Sequence, residues 1–233
     1  PQLEKSISFF SITVFLLILI LSLIISYLLG SIPFGYIIGK LFKGVDVRDY
    51  GSGKTGATNV LRTAGISAGL LSFVFDMAKG AGAVIFTSWL FSLPGESLYD
   101  PSNIFIRELS RPAAGMAAII GHNWPVFLKF RGGRGVMPTA GAFMVLSPIA
   151  VGGAALVGLT TIAISRFVSL GSILGVLALT FIIIFLYLFK GFSLEILVFS
   201  IISSLLVIFQ HNDNISRLVN GTERKLGQKA ENI

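Results

Sequence analysis

The chain contains no cysteine, which removes disulfides, thiol nucleophiles and cysteine-ligated metals from its chemistry and leaves the redox compartment unread. Histidine is almost as scarce: His122 and His211 stand far apart and no His-Glu-x-x-His pattern exists, so a zinc site is disfavoured and neither metal nor cofactor is expected. Charged residues make up 12% of the chain, against about 25% in an average soluble domain. Hydrophobic residues make up 54%, too many to bury in one water-soluble core. Acidic residues are outnumbered, 11 to 18, giving a net charge of +7. The cations fall in short blocks between apolar runs, a pattern that orients a membrane protein, and no long exposed array points to nucleic acid.

What is present are long apolar runs. At about 20 residues per span, 233 residues accommodate roughly six to eight membrane crossings and no added soluble domain. The expectation is a single all-α membrane domain over 1–233, with 1–6 as an extension, a helical bundle over 7–209, and a C-terminal segment over 210–233. Spans are read at 7–29, 66–93, 113–127, 136–149, 151–164, 168–188 and 192–209, with Pro148 and Gly152-Gly153 as breaks. The segment from Pro94 to Arg111 is nearly neutral (Glu96, Asp100 and Glu108 against Arg107 and Arg111), which suits the outer side. Three basic blocks, 40–62, 129–134 and 211–229, share the cytoplasmic side only if even numbers of spans separate them. Seven helices with the N-terminus outside and the C-terminus cytoplasmic satisfy that, although hydropathy alone also permits five.

Each basic block carries polar residues beyond what orientation needs. The first is GSGKTGATNVLR, Gly51 to Arg62. It is not a P-loop, since Arg48 stands where the leading glycine belongs. Gly51, Gly53 and Gly56 free its backbone, Ser52, Thr55, Thr58 and Asn59 offer hydrogen bonds, and Lys54 and Arg62 offer charge. The second block, Gly121 to Gly141, reads GHNWPVFLKFRGGRGVMPTAG. Here Gly132, Gly133 and Gly135 permit positive φ and the presentation of N–H groups to one anion, with Lys129, Arg131 and Arg134 as cations; the plainer reading is an orienting loop. In the third block His211, Asn214 and Arg217 fall three apart, on one side of a helix, and Glu223 can neutralise an arginine. The later cations Arg224, Lys225 and Lys229 suit lipid headgroups. Asp76 and Lys79, at i and i+3 inside an apolar run, read as an ion pair fixing a helix contact more readily than as catalytic groups.

Together the segments GSIPFG at Gly30, GSG..GATNVLR at Gly51, DMAKG at Asp76, GHNWPVFLKFRGGRGV at Gly121 and H..NI.RL..G.E at His211 resemble the bacterial acyl-phosphate:glycerol-3-phosphate acyltransferases, the PlsY family. The resemblance implies an enzyme of the bacterial inner membrane with its site on the cytoplasmic side. It would move a fatty acyl group from acyl phosphate to the sn-1 hydroxyl of glycerol 3-phosphate, releasing 1-acylglycerol 3-phosphate and phosphate. Ser52 and Arg62 would be essential. Gly132, Gly133 and Gly135 would form the glycerol-phosphate cradle, His211 and Asn214 would complete the site, and Glu223 would support it. Substrate contacts extend by the same reading to Gly51, Gly53, Lys54, Thr58, Asn59, Lys129, Arg134 and Arg217. The protein is expected to function as a monomer among membrane lipids.

Three departures from the family pattern stand out: Lys54 where asparagine is usual, Arg134 where lysine is usual, and Met137-Pro138 where Ala-Thr is usual. The His-x-x-x-x-Asp pair of common glycerolipid acyltransferases is missing, with Phe127 and Ser216 at the aspartate positions, and no Gly-x-Ser-x-Gly elbow occurs. Either His211 or a substrate phosphate oxygen is available to take the hydroxyl proton; the missing pair favours the substrate. The rival reading is a transporter or flippase for a phosphorylated metabolite or lipid, marked only by Asp76 and Lys79. A lipid phosphatase would need a nucleophile and acid–base histidines in two motifs, and His122 lies in no such context.

Overall fold

The computed structural model describes residues 2–93 and 104–228, with side chains from residue 11 onward. Glu96, Asp100 and Lys229 therefore lie outside the described residues. Those described form ten α-helices: α1 (Gln2–Ser31), α2 (Phe34–Lys43), α3 (Ala57–Ala64), α4 (Ile66–Leu90), α5 (Ile104–Asn123), α6 (Val136–Leu146), α7 (Pro148–Ser165), α8 (Val168–Lys190), α9 (Leu194–Gln210) and α10 (Asn212–Val219). The boundaries follow local chemistry. Pro33 separates α1 from α2, Pro148 opens α7 at its first turn, and Gly44 and Gly191 close α2 and α8 in the left-handed conformation.

Two expectations need correction. Gly152-Gly153 does not break a helix; α7 runs through it, and Gly153 instead lies against Ile182 of α8. The run expected over 113–127 begins earlier, because α5 starts at Ile104 and carries Pro112 inside it. By length and composition four stretches are able to cross a membrane: Ser11–Lys43, α4, α7 and α8. The bent pair α9 and α10, which meet at 59°, makes a possible fifth. Helix α6 has only 11 residues, about 16 Å at 1.5 Å each, short of a bilayer core.

Large apolar side chains point outward, among them Leu17, Ile164 and Phe181, as a lipid-facing surface requires. Since lipid is as apolar as leucine, helices here are held by close packing of small residues. Gly30 of α1 meets the Ala118 carbonyl of α5, and Gly121 of α5 meets the Tyr27 carbonyl of α1. Gly80 of α4 and Gly141 of α6 interlock the same way, against Pro138 and Met77. Inside the bundle Phe143 and Phe199 stack at 4.7 Å within a cluster that includes Ile119, Leu179 and Ile183. A separate small core of Ile38, Val47, Val60, Ala64 and Ala68 supports the loop before α3.

These contacts predict opposite outcomes for two glycines. Gly141→Ala forces α4 and α6 apart and lowers stability in detergent by about 1–3 kcal/mol. Gly152→Ala enters open space and leaves thermal unfolding unchanged or slightly higher.

Candidate functional site

The segment before α3 is a tight loop because Gly51 (φ 60°) and Gly53 (φ 67°) turn it through the left-handed region. Asn59 then pins it. Its Nδ2 donates to the carbonyls of Val47 (2.7 Å), Tyr50 (3.0 Å) and Lys54 (2.9 Å), while its Oδ1 accepts from the Ser52 N–H (3.1 Å). With its amide engaged in this way and 3% exposure, Asn59 braces the loop. Asn59 also lines the cavity beside the loop it braces. The loop leaves Ser52, Lys54, Thr58 and Arg62 lining a cavity of about 220 Å³. Helix α3 starts there at Gly56 without a side-chain cap.

The glycine loop is built differently from expectation. Only Gly135 has positive φ (82°). The Gly132 N–H donates to the Asn123 carbonyl (3.2 Å) and the Gly133 N–H to the His122 carbonyl (3.0 Å), so neither is offered to an anion. Both residues are glycine because the backbone presses on His122: a methyl on Gly133 would overlap the imidazole ring. What this loop does present to the cavity is Arg134, Gly135 and the uncapped first turn of α6. Lys129 does not reach that cavity; with Arg48 and Arg131 it lines a separate cleft. Arg134 Nε donates to the Gln210 carbonyl at 3.1 Å, and the Thr55 N–H to the Gly132 carbonyl at 3.5 Å, so the three blocks are tied together.

The third block enters at the bend between α9 and α10. His211 Nδ1 lies 2.7 Å from the Val207 carbonyl. A carbonyl only accepts, so Nδ1 carries the proton and Nε2 keeps the lone pair. Glu223 is the hub of the segment: Oε1 accepts from Asn214 Nδ2 (2.7 Å) and Ser169 Oγ (2.8 Å), and Oε2 from Arg217 Nε (2.7 Å). Arg217 is thereby committed to Glu223. The segment after α10 also clamps the first loop, through Arg224 to the Gly51 carbonyl and Arg62 to the Arg224 carbonyl, both at 3.1 Å. Of the buried side-chain atoms without partners, two belong to residues lining the cavity, Asn214 Oδ1 as acceptor and Arg62 Nε as donor.

His211, Asn214 and Glu223 line the same cavity as the residues from the first two loops. Gly51, Gly53, Lys129, Gly132, Gly133 and Arg217 do not. Sequence reasoning missed Ser169, Asp76 and His122, which also reach the cavity, and the apolar wall of Phe73, Leu159, Ile162 and Val168. No sequence signal set Ser169 apart from other helix serines, and the wall residues were indistinguishable from lipid-facing ones. Among the described residues no group of three His, Asp or Glu side chains is arranged to hold a metal.

The electrostatics point to an anion. Burial pulls Arg134 down to about 10, with Arg217 adding repulsion. Burial likewise lowers Lys54, helped by Arg134, and Arg62, where Arg224 and Arg217 oppose the pull of Glu223. An incoming phosphate reverses each of these shifts. Burial works against ionisation of Glu223, but hydrogen bonds from Asn214, Arg217 and Ser169 outweigh it and hold the carboxyl below its ordinary value.

Burial also lowers His211 to about 4. The folded ring is therefore neutral at pH 7, and as pH falls from about 6.5, where an unfolded histidine takes its proton, towards 4 the fold loses stability. NMR titration of the labelled ring in detergent is expected to give a midpoint near 4; a midpoint at or above 6.5 contradicts the burial seen.

Residues 20–221 match the family model described as glycerol-3-phosphate acyltransferase. The chain is 46% identical over 214 residues to glycerol-3-phosphate acyltransferase 3 of Dehalococcoides mccartyi (strain CBDB1), covering 91% of this chain and 97% of that one. It is 42% identical over 212 residues to glycerol-3-phosphate acyltransferase of Thermoanaerobacter sp. (strain X514), covering 91% and 98%. Among solved structures, PlsY (YgiH), an integral membrane glycerol 3-phosphate acyltransferase, superposes in its glycerol 3-phosphate form with a TM-score of 0.76 at 35% identity, covering 90% of this chain and 96% of that one. Its lysophosphatidic acid form gives 0.74 at 34%, covering 90% and 95%. With its three polar blocks gathered on one cationic cavity and relatives matching along nearly all of its length, the chain belongs to the glycerol-3-phosphate acyltransferase family.

Proposed function

We propose that this protein transfers a fatty acyl group from an acyl phosphate to the sn-1 hydroxyl of glycerol 3-phosphate. The observation that carries the reading is a cavity lined both by the cations Lys54, Arg62 and Arg134 and by the apolar side chains of Phe73, Leu159, Ile162 and Val168. Two phosphates and one alkyl chain fit that division. Arg134 and the open turn of α6 hold the phosphate of glycerol 3-phosphate. Arg62, with its free Nε, Lys54, Ser52 and the first turn of α3 hold that of the donor. The acyl chain leaves along the apolar wall.

The hydroxyl oxygen bonds to the acyl carbon as the bond from that carbon to the phosphate oxygen breaks, and phosphate departs with the electron pair. The donor is a mixed anhydride and already activated, so alignment and charge neutralisation supply most of the catalysis. Asn214 Oδ1 is free to accept from a glycerol hydroxyl. His211 is neutral and a weak base at about 4, so it orients the hydroxyl or a phosphate through its neutral ring, and the proton passes to a donor phosphate oxygen.

The rest of the reading concerns placement. Seven spans, α1, α4, α5, α7, α8, α9 and a short α6 that crosses only with local thinning of the bilayer around it, put the N-terminus outside and all three basic blocks on the cytoplasmic face of a bacterial inner membrane. The bundle of 7–209 and the segment after it work as one domain and as a monomer. Support comes from the positive blocks converging at one end of the helices and from bacterial relatives.

The test is direct. Purified protein given palmitoyl phosphate and labelled glycerol 3-phosphate is expected to form labelled lysophosphatidate, and not to do so with palmitoyl-CoA. No product from either donor overturns the enzyme reading, and product from the CoA ester alone overturns the donor. Arg62→Ala is expected to lower kcat/KM by about 10²- to 10³-fold. His211→Gln keeps measurable turnover if the substrate takes the proton; near-complete loss of kcat with both KM values unchanged would instead make His211 the base.

A further inference from the structure

Part of the cavity's lining belongs to a cluster that the proposed chemistry does not use. Asp76 and Lys79 of α4 and His122 at the end of α5 are 1%, 3% and 5% exposed. Asp76 Oδ1 lies 2.9 Å from Lys79 Nζ and 3.5 Å from His122 Nδ1. Lys79 Nζ also donates to the Ile32 carbonyl at 3.1 Å, at the elbow between α1 and α2. A buried pair of this kind holds helices no better than apolar side chains of the same volume would, so stability alone does not account for it. What it does fix is geometry. Asp76 sets the plane of the His122 ring, that ring packs against Gly133, and the His122 carbonyl accepts the Gly133 N–H. Gly133 immediately precedes Arg134 and the start of α6. On the other side, the elbow held by Lys79 leads into α2, whose Gly35 packs against the Thr55 carbonyl of the first loop.

We infer that Asp76, Lys79 and His122 are positioning residues that lock the glycine loop, through Gly133, at the spacing its phosphate site requires. This rests on the acyltransferase reading above for its kinetic consequence, though not for its structural one. An amide in place of the Asp76 carboxylate keeps one acceptor oxygen but loses the charge that draws the His122 ring at 3.5 Å, so the anchor weakens. The ring turns, Gly133 and Arg134 shift with it, and the phosphate of glycerol 3-phosphate loses its fit while the donor site is spared.

The experiment compares the full chain in nanodiscs with Asp76→Asn and with the double variant Asp76→Asn/Lys79→Met, which leaves no unpaired buried charge. Melting temperature, amide exchange at Gly133 and the kinetic constants for both substrates are read on each. Asp76→Asn is expected to speed exchange at Gly133 and to raise KM for glycerol 3-phosphate about tenfold, with KM for the acyl donor within about twofold. The double variant is expected to recover the melting temperature and to keep the raised KM. Recovery of both in the double variant, or a loss of all constants in proportion to the melting temperature, assigns the cluster to stability alone and overturns the inference. Unchanged exchange at Gly133 also overturns it, even if the protein proves inactive. Inactivity of the parent chain with exchange altered in Asp76→Asn sinks the acyltransferase reading and leaves the loop lock standing.

Discussion

The constraint on which the site depends is uncompensated positive charge. Lys54, Arg62 and Arg134 are partly or largely withdrawn from water and face one cavity, where burial works against the charge of each. Of the carboxylates that act on them, Asp213 is exposed on α10 and Glu223 is already committed to Arg217, Asn214 and Ser169. That carboxylate keeps the third block folded beside the first without neutralising the cavity. The remaining charge is left for a ligand. A phosphate has the charge to relieve all three cations at once, and the open first turns of α3 and α6 supply backbone N–H groups in the same space.

Holding such a cavity at the end of a membrane bundle requires rigid supports, and here they are glycines and buried hydrogen bonds. The α1–α5 and α4–α6 contacts are backbone against backbone, as close as glycine permits. Asn59 does for the first loop what His122 and Asn123 do for the second, presenting fixed partners to otherwise loose backbone. Preorganisation of this sort is what an activated donor needs, because little covalent work falls to the protein.

Much of this was legible in sequence. Low charge, long apolar runs and the grouping of cations predicted a helical membrane protein, and the three polar blocks identified Ser52, Arg62, Arg134, His211 and Asn214, which do meet in one cavity. Glu223 reads in the sequence as a carboxylate that neutralises an arginine, and the structure supplies Arg217 as its partner. The pairing of Asp76 with Lys79 followed from their i, i+3 spacing and is present as well. These are properties of residue type and short-range periodicity, which a sequence displays directly.

The failures share a cause. Glycine permits positive φ, close approach and free N–H groups alike, and only the neighbouring residues decide which is used. At Gly132 and Gly133 it is close approach to His122, so the anticipated row of N–H donors is spent inside the protein. Likewise Asn59 spends its amide on the first loop's backbone and Lys129 lines a separate cleft, placements set by the backbone fold and not by adjacent letters. The sequence by itself determined the solvent, the helical class, the sign of the site and the identity of its charged groups. Tertiary structure alone decided which of those groups face one cavity, which apolar side chains form its wall, and that Ser169, Asp76 and His122 belong to it. Those choices depend on long-range contacts between helices, which leave no periodic trace in the chain.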